Sequence, residues 1–328
     1  MIIRIVFCIL LIYLIPMLLL RMLPAEKTMD KSSANIQDVV SRGEIYQEEE
    51  KETVDVYKDR KITVLTDIGP QIMDLEQYIF YVVLGEMPAE FELEALKAQA
   101  VVARTYACRK MNNPKHENAD ICTDSTCCQA YVSQEDYIRY GKSQQDLQKV
   151  KNAVESTRGE VLMYQGQLVE ATYFSCSGGR TEDALAVWGK DVPYLQSVSS
   201  PGEENAAYYT NCVSFSVQQF SEKLGVSLSG DAGAWVGTIV YTEGGGVSTI
   251  VIGNRTFTGV EMRQKLGLRS TAFDISCSAD KIIVTTKGYG HRVGMSQYGA
   301  DAMAVQGSGY EDILHHYYTG TALSVLSG

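Results

Sequence analysis

The stretch Gly85–Tyr106, GEMPAEFELEALKAQAVVARTY, sets the reading of the whole chain, because it places a lone carboxylate at a chain punctuation between two apolar-rich segments. Upstream, Leu75–Leu84 reads as a helix that stops before Gly85, a residue type that commonly ends helices. Downstream, Pro88 suits a first helical turn. From there Leu93, Leu96, Ala100, Ala103 and Ala107 recur at three- and four-residue steps and give one narrow face of small residues. Lys97 and Arg104 lie off that face, seven residues apart and so on one side of the helix. Glu90, Glu92 and Glu94 suit a helix N-terminus, where the macrodipole favours negative charge. Glu86 falls before that helix, on a constrained loop of the kind that carries function, and is the candidate catalytic group.

Outward from this stretch the elements are short and mixed. Ile62–Leu65 reads as a strand. Residues 111–134, rich in Asn, Asp, Thr and Cys, read as a long loop that something must order. A polar helix is expected at Gln145–Ser156, then a hairpin of Glu160–Tyr164 and Leu168–Phe174 around Gln165-Gly166-Gln167. The second strand runs into Ser175-Cys176-Ser177-Gly178-Gly179-Arg180-Thr181, a small-residue turn suited to close backbone approach. Residues 206–268 alternate short β-type runs with Gly-rich turns. Strand Lys281–Thr286 then meets GYGHRVGMSQ (288–297), followed by helices at Tyr298–Val305 and Tyr310–Tyr317. No internal repeat is evident. The expected fold class is α+β, with helices and short antiparallel strands around a substrate groove.

The ends and the charge bound the setting. Ile5–Leu20 is an apolar run of 16 residues between Arg4 and Arg21. At 1.5 Å per residue it covers about 24 Å, close enough to the roughly 30 Å hydrocarbon core for the flanking arginines to snorkel. No small-x-small cleavage site follows it, so an uncleaved anchor is expected over residues 1–24, a flexible polar stalk over 25–60, and an extracytoplasmic functional domain over 61–328. A net charge of −11 argues against nucleic acid as the main partner, whereas a neutral polymer fits. Apart from Cys8 in the anchor, seven cysteines remain, an odd number for a disulfide framework. His116-x5-Cys122-x5-Cys128, with Cys127 adjacent, offers soft ligands for zinc; a Cys122–Cys128 disulfide is the rival. The fourth ligand is open between water, Cys127 and a distant residue. Cys176 with His291 is a second chemical reading, a thiol nucleophile and its base.

Taken together, GEMP with its ALKAQAVVARTYA helix, SCSGGRTE after a strand, and GYGHRVGMSQYGA near the C-terminus resemble the stage II sporulation protein D family from about Lys61 onward. The resemblance implies a membrane-anchored lytic transglycosylase, a lyase that cleaves MurNAc–GlcNAc bonds of peptidoglycan, preferably stripped of stem peptides, and leaves 1,6-anhydro-MurNAc ends during engulfment in sporulation. It implies Glu86 as acid and base, with Lys97, Gln99, Arg104 and Tyr106 lining the groove. Ser177, Gly178, Gly179 and Thr181, and likewise His291, Ser296 and Gln297, are implied as donors to sugar. Some relatives carry zinc on the cysteine loop, which implies a structural site at His116, Cys122 and Cys128. The implied partners are an amidase or endopeptidase and a membrane scaffold protein, at the mother-cell membrane facing the intermembrane space. Relatives that enhance amidases supply the alternative, a glycan-binding protein that does not cut. The family reads closer to GHGVG where this chain has Gly290-His291-Arg292-Val293-Gly294, so Arg292 is expected to alter that loop.

Overall fold

A computed structural model describes residues 60–326. The expected anchor and most of the stalk lie outside those residues; among the described residues no helix is long and apolar enough to cross a membrane. The described fold is α+β, with five small sheets of two or three strands.

The main body starts with hairpin β1 (Lys61–Thr66) and β2 (Gly69–Asp74), paired antiparallel. Asp74 ends β2 and caps α1 (Leu75–Glu86), accepting from the Glu76 and Gln77 amides. Helix α2 (Leu93–Asn112) is buried around most of its circumference, from Leu96 and Ala100 to Val101, Val102 and Thr105. The single narrow face expected from its small residues is therefore incomplete: α2 is the central rod, packed on most sides, with Gln99, Arg104 and Thr105 buried among its apolar residues. Around it follow β3 (Ile121–Cys122), parallel to β1, α3 (Gln134–Arg139), and α4 (Gln144–Ser156), which starts in a capping box of Ser143 and Asp146. Strand β4 (Glu160–Tyr164) turns through Gln165 and Gly166, both at positive φ, into β5 (Gln167–Leu168). The expected second hairpin strand breaks there. Its end is a separate strand, β6 (Tyr173–Phe174). Helix α5 (Ala184–Trp188) follows.

Residues 210–287 form a lobe with its own core around Phe220, Ile250, Phe257 and Ile282. Here the chain does contain an internal repeat. Strand β7 (Thr210–Ser216) leads into α6 (Val217–Leu224), then hairpin β8 (Val236–Tyr241) and β9 (Val247–Ile252). Strand β10 (Arg255–Thr258) leads into α7 (Gly259–Leu266), then hairpin β11 (Phe273–Cys277) and β12 (Lys281–Lys287). FSVQQFSEKLGV (215–226) aligns with FTGVEMRQKLGL (257–268): each helix opens on a Ser or Thr capping box, Ser216/Gln219 and Thr258/Glu261, and closes on a left-handed Gly, 225 or 267. The first strands are exchanged, since β10 pairs with β9 and β7 with β12. Each sheet thus needs both repeats, which ties the lobe into one folding unit.

The chain re-enters the body through β13 (Met295–Ser296), parallel to β6, then α8 (Gln297–Val305), α9 (Tyr310–Tyr317) and β14 (Ala322–Val325), which closes on β4. Arg292 fastens body to lobe. At φ 67 and almost wholly buried, its guanidinium donates to the carbonyls of Ser177 and Arg180 in the body and of Gly244 in the lobe, and pairs with Glu182 at 3.0 Å. Glu182 also accepts from Thr242 and the Gly246 amide. The residue that departs from GHGVG is the bolt of this joint.

Candidate functional site

Glu86 is the last residue of α1 and does not sit on a turn ahead of the next helix. Gly85 is no helix stop. It is needed for space, because a Cβ there would meet the Tyr131 amide nitrogen at 2.9 Å and the Ala130 carbonyl carbon at 3.0 Å. The segment that follows the cysteine loop thereby lies directly against the end of α1. Pro88 shapes the 87–92 connection, and α2 begins only at Leu93.

One carboxylate oxygen of Glu86 is pinned and the other is not. Oε1 accepts from the Ala130 amide at 2.6 Å and from the Tyr173 hydroxyl at 3.0 Å. Tyr173 in turn accepts from the Gln129 amide nitrogen at 2.9 Å, and the Gln129 oxygen accepts from Tyr78 at 3.2 Å. With its oxygen already taking a hydrogen bond, the Tyr173 hydroxyl has its one proton left for Glu86. That leaves Oε2 as the oxygen able to carry a proton. Burial raises the Glu86 pKa, against the lowering pull of Ala130, Tyr173 and the nearby Gln297 amide. The helix end works in the same direction as burial, since the C-terminus of α1 carries the negative pole of its macrodipole.

Glu86 lies between two cavities. One, of about 390 Å³, is lined by Tyr106, Cys127, Cys128, Tyr173, Tyr289 and His291. The other, of about 270 Å³, is lined by Phe91, Tyr137, Lys142, Tyr208 and Tyr298. Glu86, Ser175 and Gln297 line both. The result is a groove with a single protonatable carboxylate at its middle. The Gln297 Nε2, buried at the junction, meets no acceptor in full hydrogen-bonding geometry, yet lies near enough to Glu86 to draw its pKa down.

At the far end of the first cavity His116, Cys122, Cys127 and Cys128 bring one ligand atom each to within 4.8 Å of one another. His116 Nε2 is 3.4 Å from Cys128 Sγ and 3.8 Å from Cys127 Sγ, and the two sulfurs are 3.9 Å apart. A tetrahedral zinc with bonds of about 2.1–2.3 Å requires edges of roughly 3.4–3.8 Å, which the His116–Cys128 and His116–Cys127 distances already meet, while the wider pairs would close on the metal; in donor type and number the set fits zinc. Cys122 and Cys128 are both free thiols, which removes the Cys122–Cys128 disulfide.

The family model SpoIID, described as stage II sporulation protein, matches residues 69–164. Stage II sporulation protein D of Bacillus subtilis (strain 168) is 43% identical over 256 residues, 76% of this chain and 74% of that protein. The chain belongs to the stage II sporulation protein D family. The Bacillus amyloliquefaciens protein of that name is equally similar, 43% over 256 residues with the same coverage. The amidase enhancer of Bacillus subtilis (strain 168) is 30% identical over 300 residues, covering 74% of this chain and 40% of that protein.

Within this SpoIID fold the groove gathers only some of the residues expected there: Glu86, Tyr106, His291 and Gln297 line it. Arg104 does not. It is fully buried and holds Glu76 through Nε at 2.8 Å and Nη2 at 2.6 Å, while also donating to the Glu160 and Val154 carbonyls. Gln99 is buried in α2 with its amide unpaired, and Lys97 pairs with Glu94 at 2.7 Å. Glu94 also accepts from the Tyr310 amide and so anchors the start of α9.

The SCSGG turn is folded around the buried carboxylate of Glu203. Glu203 accepts from the Ser177 amide and hydroxyl, the Gly178 amide, the Cys176 thiol and Ser200. Gly179 donates to Ser177 Oγ and Thr181 bonds the 196–198 segment. Ser296 caps α8. Fully buried and donating to Glu203, the Cys176 thiol is pushed well above its usual range by burial and that carboxylate, which does not suit a nucleophile. His291 is wedged against Phe174 and Trp188, and burial lowers its pKa to about 4, leaving a neutral ring. Sequence reasoning missed Tyr173, Gln129 and Ala130, whose link to Glu86 is purely tertiary.

Proposed function

We propose that the protein is a peptidoglycan lytic transglycosylase that acts in sporulation, with Glu86 as its single acid and base. The observation that carries this reading is the groove with one partly buried carboxylate at its centre, its Oε1 fixed by two donors and its Oε2 open to trade a proton. Glu86 Oε2 donates its proton to the glycosidic oxygen as the C1–O bond of MurNAc breaks. The carboxylate formed then takes the proton of the MurNAc 6-hydroxyl as O6 bonds to C1, which closes the 1,6-anhydro ring and restores the acid. A hydroxyl within the substrate replaces the water or second carboxylate of ordinary glycosidases. Gln297 Nε2 donates to a sugar oxygen in that same step.

The His116, Cys122, Cys127 and Cys128 set would hold zinc, Cys127 supplying the fourth ligand. Bound there, the metal ties the loop whose next residues, Gln129 and Ala130, hold Glu86. On this reading residues 5–20 anchor the chain with its body outside the cytoplasm, and an amidase that strips stem peptides and a membrane scaffold protein are its partners. The second reading, a glycan-binding enhancer of a cell-wall amidase, has its support in the similarity to the amidase enhancer. Mass analysis of products from purified glycan strands separates the two. Wild-type protein yields anhydro-MurNAc ends and Glu86→Gln yields none; release by Glu86→Gln at the wild-type rate overturns the enzyme reading.

A further inference from the structure

The lobe presents two exposed tyrosines to the groove, one at each of its junctions with the body. Tyr208 stands just before β7 and lines the cavity on the Lys142 side of Glu86, whereas Tyr289 stands just after β12 and lines the cavity on the cysteine side. Their rings meet edge to face at 5.4 Å, and each is about two-fifths exposed. Arg269 serves both, its guanidinium carbon 5.0 Å from the Tyr208 centroid and 5.4 Å from that of Tyr289. Among the described residues Arg269 has no carboxylate partner, and neither tyrosine hydroxyl has a hydrogen-bond partner.

The backbone holds Tyr289 outward with little freedom. It is fastened to Cys176 by a hydrogen bond in each direction, 2.7 and 3.2 Å. Gly288 and Gly290 flank it at φ 78 and 121, and a Cβ on either would strike Cys176 or Ser177 carbonyls or the Phe174 side chain below 3.0 Å. The Gly290 amide also donates to the Arg269 carbonyl, so ring and guanidinium are set by one piece of backbone. Scattered exposed aromatics need no explanation. A pair locked by a shared cation and divided between the two cavities beside a partly buried carboxylate does.

We infer that Tyr208, Arg269 and Tyr289 form a stacking platform for the pyranose rings on either side of the bond beside Glu86, taking a neutral β-linked N-acetylhexosamine polymer. This deepens the proposed function and rests on its groove being a glycan groove. The faces of such sugars carry axial C–H groups that pack on aromatic rings, while the free tyrosine hydroxyls bond to sugar hydroxyls. Arg269 keeps both rings fixed before the sugar arrives, so little ordering is left to do on binding.

The test uses full-length protein and N-acetylchitotetraose. Its binding is measured by calorimetry on Glu86→Gln, alone and with Tyr208→Ala, Tyr208→Phe, Tyr289→Ala or Tyr289→Phe added. Each Ala change is expected to weaken binding about five- to tenfold, and each Phe change to retain most of it. In the cutting background the Ala changes raise KM and leave kcat nearly unmoved. Tyr208→Trp supplies a reading that needs no truncation: its fluorescence is expected to shift to the blue when the sugar is added. Cutting by wild type with unchanged binding in both Ala variants and no Trp shift overturns the platform alone. Binding that needs both rings in a protein that never cuts overturns the enzyme reading alone. No binding to wild type overturns both.

Discussion

Replacing Arg104 by methionine tests whether this residue serves the groove or the core. Its guanidinium is bidentate to Glu76 at 2.8 and 2.6 Å, and the two side chains are 0% and 8% exposed. Breaking a buried pair from one side strands the other charge and costs about 3–5 kcal/mol. The Glu160 and Val154 carbonyls lose a donor as well, so the upper half of that range is expected. For a domain of this size that amounts to a fall in Tm of about 8–20 °C. Thermal unfolding followed by circular dichroism gives the shift, and kinetics well below both transitions give KM. Arg104→Met should lower Tm strongly with KM unchanged. Adding Glu76→Met should recover much of the loss, because an apolar pair carries no stranded charge. A raised KM with an unmoved Tm would refute the core assignment and return Arg104 to the substrate.

Glu86→Gln should abolish cutting yet raise Tm at neutral pH. Its carboxyl has a raised pKa when folded, so at pH above the unfolded value ionisation favours the unfolded chain, the penalty is complete once pH exceeds the folded value, and below about pH 4 both states are protonated and the gain from Gln vanishes. For the same reason wild-type kcat/KM should fall as pH rises through the Glu86 pKa; a rate that climbs throughout that range contradicts Glu86 as the starting acid. Gly85→Ala, which forces a methyl onto the Ala130–Tyr131 backbone, should cost about 1–3 kcal/mol and reduce kcat, read by unfolding and by steady-state rates. Zinc analysis should find one metal per chain, lost in Cys127→Ser. Chelation should then speed amide exchange at Ala130, measured by hydrogen–deuterium exchange, and unchanged exchange would uncouple the loop from Glu86.

Where the sequence carried a complete local signal, the fold was legible. Tyr310–Tyr317 was expected and found to the residue, because Ile313, Leu314 and Tyr317 give a clean buried stripe. The helix at Gln144–Ser156 was displaced by one position, at its Ser143 cap. The duplicated strand and helix were also on the page, in KLG closing both copies, but only 12 residues align and the following hairpins diverge. Exchange of the first strands then hides the unit from any tandem reading. Arg104 was misplaced for a different reason. The family resemblance places it in the groove, and only the tertiary fold shows Glu76 waiting on α1 at hydrogen-bond distance.

Gly85 explains the most instructive error. Glycine is equally suited to ending a helix and to letting another backbone come close, and local sequence does not separate the two. Reading it as a stop put Glu86 ahead of a helix N-terminus, where the dipole favours the anion and burial has to win against it. Reading it as a contact puts Glu86 at a C-terminus, where dipole and burial both favour the protonated acid. The contact that Gly85 permits is with the segment carrying Ala130, so the same missing side chain that sets the dipole's sign also admits the donor that fixes Oε1. That segment follows Cys127 and Cys128 directly, which makes the order of the cysteine loop and the geometry of the acid one variable.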